Sequence, residues 1–247
     1  MTSSAISGSL FLALNCAEER LQVVLGTPGN LLFSEEILCP GQSIRHLPTA
    51  MERALAVRGA TARDLAGIAC VRGPGSFTGL RIAHAAMYGL SRPFAIPMAG
   101  LAYLELLATQ ASDFATGETW VLTYARKGQV YMQGFSNGLP LGPVRPARVA
   151  QTLGLLADRP APLFLLGSGV RKNPELQGLA NASVLPPALD MPAPTALLAA
   201  ACAASYADSP PPPLYLRKSD AEDNLDAIAQ SRGIPCDEAR RHIPDFE

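Results

Sequence analysis

Gly67-Ile68-Ala69-Cys70-Val71-Arg72-Gly73-Pro74-Gly75-Ser76-Phe77-Thr78-Gly79-Leu80-Arg81 decides how the rest of the chain is read. Its first five residues form an apolar run that predicts a buried strand. Three glycines follow within seven residues, and a helix is predicted from about Leu80 to Leu90. Glycines between a strand and a helix permit positive φ and close backbone approach. Ser76 or Thr78 can cap the helix, leaving N–H groups for an anion. Three phosphate or nucleophile templates fail all the same. A P-loop needs Lys where Leu80 stands, and G-x-G-x-x-G needs Gly where Thr78 stands. A nucleophile elbow around Ser76 would need Gly at Pro74 and Thr78. A phosphate cradle and a tight structural turn both remain open from spacing alone.

Upstream, Leu10 to Leu14, Leu21 to Leu25 and Leu31 to Leu38 are short strands, the last following the turn signal Pro28-Gly29-Asn30. Tight connections make them an antiparallel meander. Ile44, Leu47, Met51 and Ala54-Leu55 share one helical face, with Ser43 as cap and Gly59 as stop. Downstream, Phe94 to Pro97 is expected as a fifth strand and Leu101 to Gln110 as a third helix. The order β-β-β-α-β-α-β-α specifies an α/β layer on a mixed five-stranded sheet. From about residue 118 the signals partly repeat. Strands at Thr119 to Tyr124 and Val130 to Phe135 flank Ala125 to Gln129, then come a weak helix at Val149 to Leu156, a strand at Leu163 to Leu166 and an Ala-rich helix at Thr195 to Tyr206. Pro210 to Pro213 reads as an extended spacer, and Asp220, Glu222, Asp223 and Asp226 make the tail acidic.

Among 247 residues, 20 Lys and Arg face 21 Asp and Glu, a formal charge of -1 that disfavours autonomous nucleic-acid binding. With 48% apolar and 17% charged residues the chain is not disordered, and no apolar run reaches the length of a membrane span. The start lacks a basic secretory n-region. Cys16, Cys39, Cys70, Cys202 and Cys236 form no C-x-x-C pair, so zinc or dithiol chemistry is not indicated and a reducing cytoplasm is expected. His46, His84 and His242 make no i, i+4 pair of metal ligands. The predicted second helix is lined with Ala83, Ala85, Ala86 and Gly89. Such small residues allow another helix to approach closely, within the chain or from outside it.

The run from Gly73 to Ile82 resembles the signature of the TsaB (YeaZ) family. Weaker matches fall in order along the chain: Leu10 to Leu25, Gln42 to Leu55, Ile96 to Ala108, Ala125 to Tyr131 and Pro213 to Arg217. The resemblance implies two lobes of the actin/Hsp70-like, ribonuclease H-like fold. The first lobe would span residues 1-104, a reduced second lobe 105-209 and the Pro-rich, acidic tail 210-247. It implies a non-catalytic scaffold or activator for threonylcarbamoylation of adenosine in tRNA. Such a subunit binds the catalytic TsaD and, with it, the ATPase TsaE, and forms a homodimer in isolation. It would meet tRNA only through the complex, bind no cofactor itself (ATP and metal residing in the partners) and have no membrane role. The residues carried over are Leu47, Met51, Ala54, Leu55, Leu80, Ala83, Ala86, Met87 and Leu90 for partner binding. Gly73, Pro74, Gly75, Ser76, Phe77, Thr78, Gly79 and Arg81 form the signature loop.

Departures from the family pattern bear on chemistry. Asn15-Cys16-Ala17 stands where the family has Asp-Thr-Ser, Gln42-Ser43 where it has His-Ser, and Tyr124 where it has Asp. An uncharged Asn15 cannot organise water around a nucleotide-bound cation as an acid does. The rival readings are an autonomous nucleotide-binding module built on the glycine loop, and a glycoprotease-like hydrolase with Ser76 or Cys16 as nucleophile.

Overall fold

The computed structural model describes residues 9–216, 229–233 and 235, in two compact units, Met1–Leu214 and Tyr215–Glu247. The acidic tail group, Arg217, Cys236 and His242 lie outside the described residues, as does the chain start before Ser9. In the second unit, residues 229–231 are helical.

The first unit begins with the meander β1 (Leu10–Asn15), β2 (Arg20–Thr27) and β3 (Asn30–Leu38). Then come α1 (Ser43–Ala56), β4 (Leu65–Gly73), α2 (Phe77–Ser91), β5 (Met98–Ala102) and α3 (Tyr103–Ala111). The sheet order is β3-β2-β1-β4-β5, with β1 antiparallel to β2 and parallel to β4, and β4 parallel to β5. This is the mixed five-stranded sheet anticipated from the alternation. The fifth strand, however, lies at Met98–Ala102 rather than Phe94 to Pro97. Arg92–Phe94 is a 3-10 turn and Ala95 is left-handed at φ 52°. Pro97 has no N–H to donate, so its carbonyl accepts from Ile68 and the ladder starts one residue later.

A second sheet follows, built from β6 (Glu118–Arg126), β7 (Gln129–Ser136), β8 (Leu139–Pro140), β9 (Arg145–Arg148), β10 (Leu163–Leu166) and β11 (Ala182–Val184). Interspersed are α4 (Val149–Ala157), α5 (Ser168–Lys172) and α6 (Pro194–Ala203). Its order, β11-β10-β6-β7-β8, repeats the first sheet: an antiparallel hairpin at one end and two parallel neighbours at the other. The partial repetition of signals in the sequence is thus a repetition of topology.

Strands β1, β2 and β4 of the first sheet are buried on both faces, whereas β3 at its edge is exposed or half-buried throughout. On one face, Leu12, Leu14, Val23 and Ile68 pack against Leu47, Met51, Ala83 and Met87 of α1 and α2. On the other, Ala13, Val24, Ala69 and Val71 meet α3 and α6, and the same core continues into Val121, Phe135 and Leu166 of the second sheet. Helix α6 follows the second sheet in sequence, yet it packs across β1 and β2. Gly26 shows how closely: a Cβ there would lie 2.4 Å from a Leu198 methyl. One core therefore joins the two sheets, while α1 and α2 lie on the face turned away from it.

Candidate functional site: the glycine loop, the inter-sheet seam and the outer helices

Two features converge near the ends of β1 and β4, and a third lies on the helices beside them. The first is the glycine loop. Ser76 caps α2, its Oγ accepting from Gly79 N–H at 3.2 Å, one of the two caps foreseen. The loop does not hold its backbone open to solvent. Ser76 N–H donates to the Ala17 carbonyl at 2.7 Å. A Cβ on Gly75 would lie 2.3 Å from the Ala17 oxygen, and one on Gly79 would lie 2.1 Å from the Cys16 oxygen. Gly73 takes φ +117°, and Arg72 O accepts from Leu214 N–H at 2.7 Å, so the proline segment straps the loop from the other side. These glycines let two backbones touch, the close packing that the tight-turn reading requires. Pro74 is buried, whereas Thr78 and Arg81 are exposed, and Arg81 lies 4.5 Å over the Phe77 ring.

The second feature is the turn that the loop supports. Asn15 is buried: its Nδ2 donates to Gln22 Oε1 at 2.7 Å and its Oδ1 accepts from Ala17 N–H at 3.0 Å. That ordering carries Glu18 and Glu19 toward the second sheet. The Glu18 carboxylate accepts from Ser168 Oγ at the head of α5 and from the Tyr103 hydroxyl at 3.3 Å. Ser168 Oγ in turn accepts from Tyr124 N–H at 2.9 Å. Glu19 pairs with Lys172 at 2.7 Å, and that ammonium lies 4.5 Å over the Tyr124 ring. Asp190 completes the cluster, accepting from Gly167 N–H and Arg171 Nε, each at 2.7 Å. Burial pushes the Glu18 carboxyl up to about 7, and the Asp190 charge adds to it. The Ser168 and Tyr103 hydrogen bonds and the Lys172 charge oppose that rise. No motif in the sequence pointed to this seam. Two adjacent acids in a short turn were its only trace.

The third feature is the outer surface of α1 and α2. Leu47, Met51, Ala54, Ala83 and Met87 turn inward to their own sheet, Leu80 packs into the core shared by the two sheets, and all six present almost no surface. This corrects the expectation that these side chains face a partner: their i, i+3, i+4 pattern marks the buried face. Leu55, Ala86 and Leu90 are half-buried at its margin. What the helices leave outward is Ile44 at 66% exposure, Val57 at 54% and Tyr88 at 42%, with exposed Ala85 and Gly89 beside Tyr88. A Cβ on Gly89 would meet nothing within 4 Å.

The candidate nucleophiles are ill suited to attack. Cys16 is buried and its thiol is pushed up to about 12, mainly by burial and further by Cys39, with a Ser43 hydrogen bond opposing. A thiol so held is protonated at neutral pH. The exposed Ser76 spends its oxygen on the α2 cap. His84 gives its Nδ1 to the Leu80 carbonyl at 2.7 Å within α2, and burial pulls its pKa down. Among the described residues no group of three or more His, Cys, Asp or Glu could hold a metal ion, and no helix is long and apolar enough to cross a membrane.

Two sheets of one strand order, joined by a shared core, define the two-lobed actin-like class. Solved structures agree on the fold. YeaZ from Pseudomonas aeruginosa covers 97% of this chain and 100% of its own at TM-score 0.60 and 20% identity. A P. aeruginosa protein with similarity to peptidase YEAZ covers 85% and 100% at TM-score 0.66 and 23% identity. The family profile described as TsaD: tRNA N6-adenosine threonylcarbamoyltransferase matches residues 40–139. In sequence, the tRNA threonylcarbamoyladenosine biosynthesis protein TsaB of Escherichia coli is 34% identical over 122 residues, 49% of this chain and 52% of that protein. An uncharacterised protein of Mycobacterium tuberculosis is 33% identical over 174 residues, 68% of this chain and 72% of its own. The chain belongs to the TsaB (YeaZ) family. Its match spans about half the length of the E. coli relative.

Proposed function

We propose that this protein serves tRNA threonylcarbamoyladenosine biosynthesis as a non-catalytic docking subunit, offering the outer surface of α1 and α2 to a TsaD-like catalytic partner. The observation that carries this reading is the exposure of Ile44 and Val57 at the two ends of α1 and of Tyr88 on α2, where the low-relief Ala85 and Gly89 lie beside it, on helices whose inner face packs on the first sheet. Burying what remains exposed of each large side chain would contribute about 1–2 kcal/mol, and the small residues let a partner helix approach. A TsaE-like ATPase would join that pair, and a homodimer through the same surface is the form proposed for the isolated chain. Activation would follow from tighter binding to the partner's active arrangement, since only differential affinity shifts a population. The packed glycine loop and the filled seam support placing the chemistry in the partner, with ATP and metal bound there.

Tyr88→Asp is expected to weaken partner binding by roughly 30- to 1000-fold, the range for losing an aromatic anchor and burying a charge. Its melting temperature should match the wild type, because Tyr88 projects outward. Asp at Ala83 would be a poor test, since Ala83 is fully buried and the fold itself would suffer. In cells, loss of the gene should abolish threonylcarbamoyladenosine in tRNA hydrolysates measured by mass spectrometry. A normal nucleoside profile would count against the reading.

A further inference from the structure

The charge of this chain balances only on average. Residues 119–157 contain Arg126, Lys127, Arg145 and Arg148 and no acidic residue. The fold gathers these cations at one edge of the second sheet. Gln129 on β7 is the register partner of both Arg126 on β6 and Arg148 on β9, so the three cross adjacent strands in one row. The Val149 N–H donates to the Gly128 carbonyl at 3.0 Å, fixing the turn that carries Lys127 beside Arg148. Arg145, paired with Met132, stands three residues along the same strand, about 10 Å away at 3.3 Å per residue and, by the two-residue alternation of side chains, on the other face of this edge. Arg126 gives its Nε to Gln129 at 2.9 Å. Lys127, Arg145 and Arg148 are exposed, and among the described residues none has a carboxylate within ion-pairing distance.

Edge strands often carry charge and proline to discourage pairing with other chains, and Pro146 fits that use. Edge protection needs no single sign, however, and it leaves unexplained why no acid occurs along 39 residues of sheet, turn and helix. We propose that this edge, a strip with Lys127 in its turn and Arg148 and Arg145 on its two faces, binds the phosphate backbone of tRNA wrapped over it, so that this subunit holds the substrate as well as the catalytic partner. This rests on the reading of the protein as a subunit of a tRNA-modifying assembly. Contacts of this kind position a nucleic acid without reading its sequence, and three of them give weak, salt-sensitive binding.

The test is fluorescence anisotropy of labelled unmodified tRNA with the full-length chain, wild type against Lys127→Ala/Arg145→Ala/Arg148→Ala. At about 0.7–0.9 decades of affinity per decade of salt for each contact, wild-type binding should weaken roughly 20- to 40-fold between 50 and 200 mM salt. The variant should bind at least about tenfold more weakly at 50 mM, with a log–log salt slope shallower by two to three. Equal affinity and slope for both proteins would overturn the proposal, as would no wild-type binding at 50 mM. Co-elution of the same variant with the catalytic partner is measured separately. Retained co-elution with lost tRNA binding supports the strip, whereas a wild type that fails to co-elute strikes the docking reading and leaves the tRNA measurement standing on its own.

Discussion

Gly79→Ala is expected to cost this protein more than about 3 kcal/mol, a loss seen for single substitutions only when a specific structural mechanism acts. The added methyl would sit 2.1 Å from the Cys16 carbonyl oxygen, a main-chain atom in a turn already held by Asn15 and by Ser76 N–H. No side chain can rotate aside to make room. Either the start of α2 lifts from the sheet, losing burial of Leu80 and Ala83, or the turn moves and releases Glu18 from the seam. At about 2–4 °C per kcal/mol for a chain of this size, the melting temperature should fall by roughly 6–12 °C. Gly75→Ala should behave alike, with 2.3 Å to the Ala17 oxygen. Gly89→Ala on the same helix is the control: it meets nothing within 4 Å and should gain about 0.4–1 kcal/mol. Thermal denaturation of the three variants separates a glycine loop that packs two backbones from one that merely bends.

Glu18→Gln should change how stability responds to pH. In the unfolded chain Glu18 titrates near 4.5, and in the folded protein near 7. The native state therefore takes up a proton between those values. Its contribution is fully present below pH 4.5 and lost as pH rises through 7. The difference of about 2.5 pH units is worth about 3 kcal/mol at most, and the residual exposure of the residue lowers it. Glutamine keeps a carbonyl to accept from Ser168, its amide can donate to the Tyr103 hydroxyl, and it has no charge to desolvate. Relative to the wild type, the variant should gain stability as pH rises from 4.5, with most of the gain accumulated by pH 7 and a plateau above it. Urea unfolding at pH 4.5 and 8 reads this directly. An unchanged difference at the two pH values would mean that the Glu18 carboxylate is solvated. Glu18→Ala is expected to be worse than Gln at both, because it leaves Ser168 and Tyr103 without their shared acceptor.

The first lobe was legible because its periodicities are unmixed. A near-continuous apolar β4 and a helical pattern from Ile44 to Leu55 each have one structural solution, and the meander signals at Pro28-Gly29-Asn30 fix the rest. The fifth strand slipped because Phe94 to Pro97 has a strand's composition, but Phe94 ends a 3-10 turn and Pro97 lacks the N–H a ladder needs. In the second sheet, β8, β9 and β11 are two to four residues long, too short to show a period, and they exist only because β7 and β10 offer edges to pair with. Helix α5 is five residues after Gly167, whose φ of +107° could not be read from one glycine. The seam was illegible for another reason. Glu18, Tyr103, Ser168 and Asp190 are separated by up to 172 residues, and only the pairing of two lobes assembles them. Apolar spacing on α1 and α2 located the helices correctly but identified their inner faces. The outer surface is written in Val57 and Tyr88, which fall outside the pattern, and in Ile44, whose spacing assigns it to the buried face but which is exposed at the start of α1.

Hydrogen–deuterium exchange of the full-length chain, alone and mixed with the TsaD-like protein of the same organism, bears most directly on whether the outer helices are where this protein works. Slowed exchange in peptides covering 44–57 and 80–94, with the second sheet unchanged, is the expected result. Mixing that leaves both helices exchanging as in the free chain, or that protects the seam around Glu18 and Ser168 instead, would contradict it.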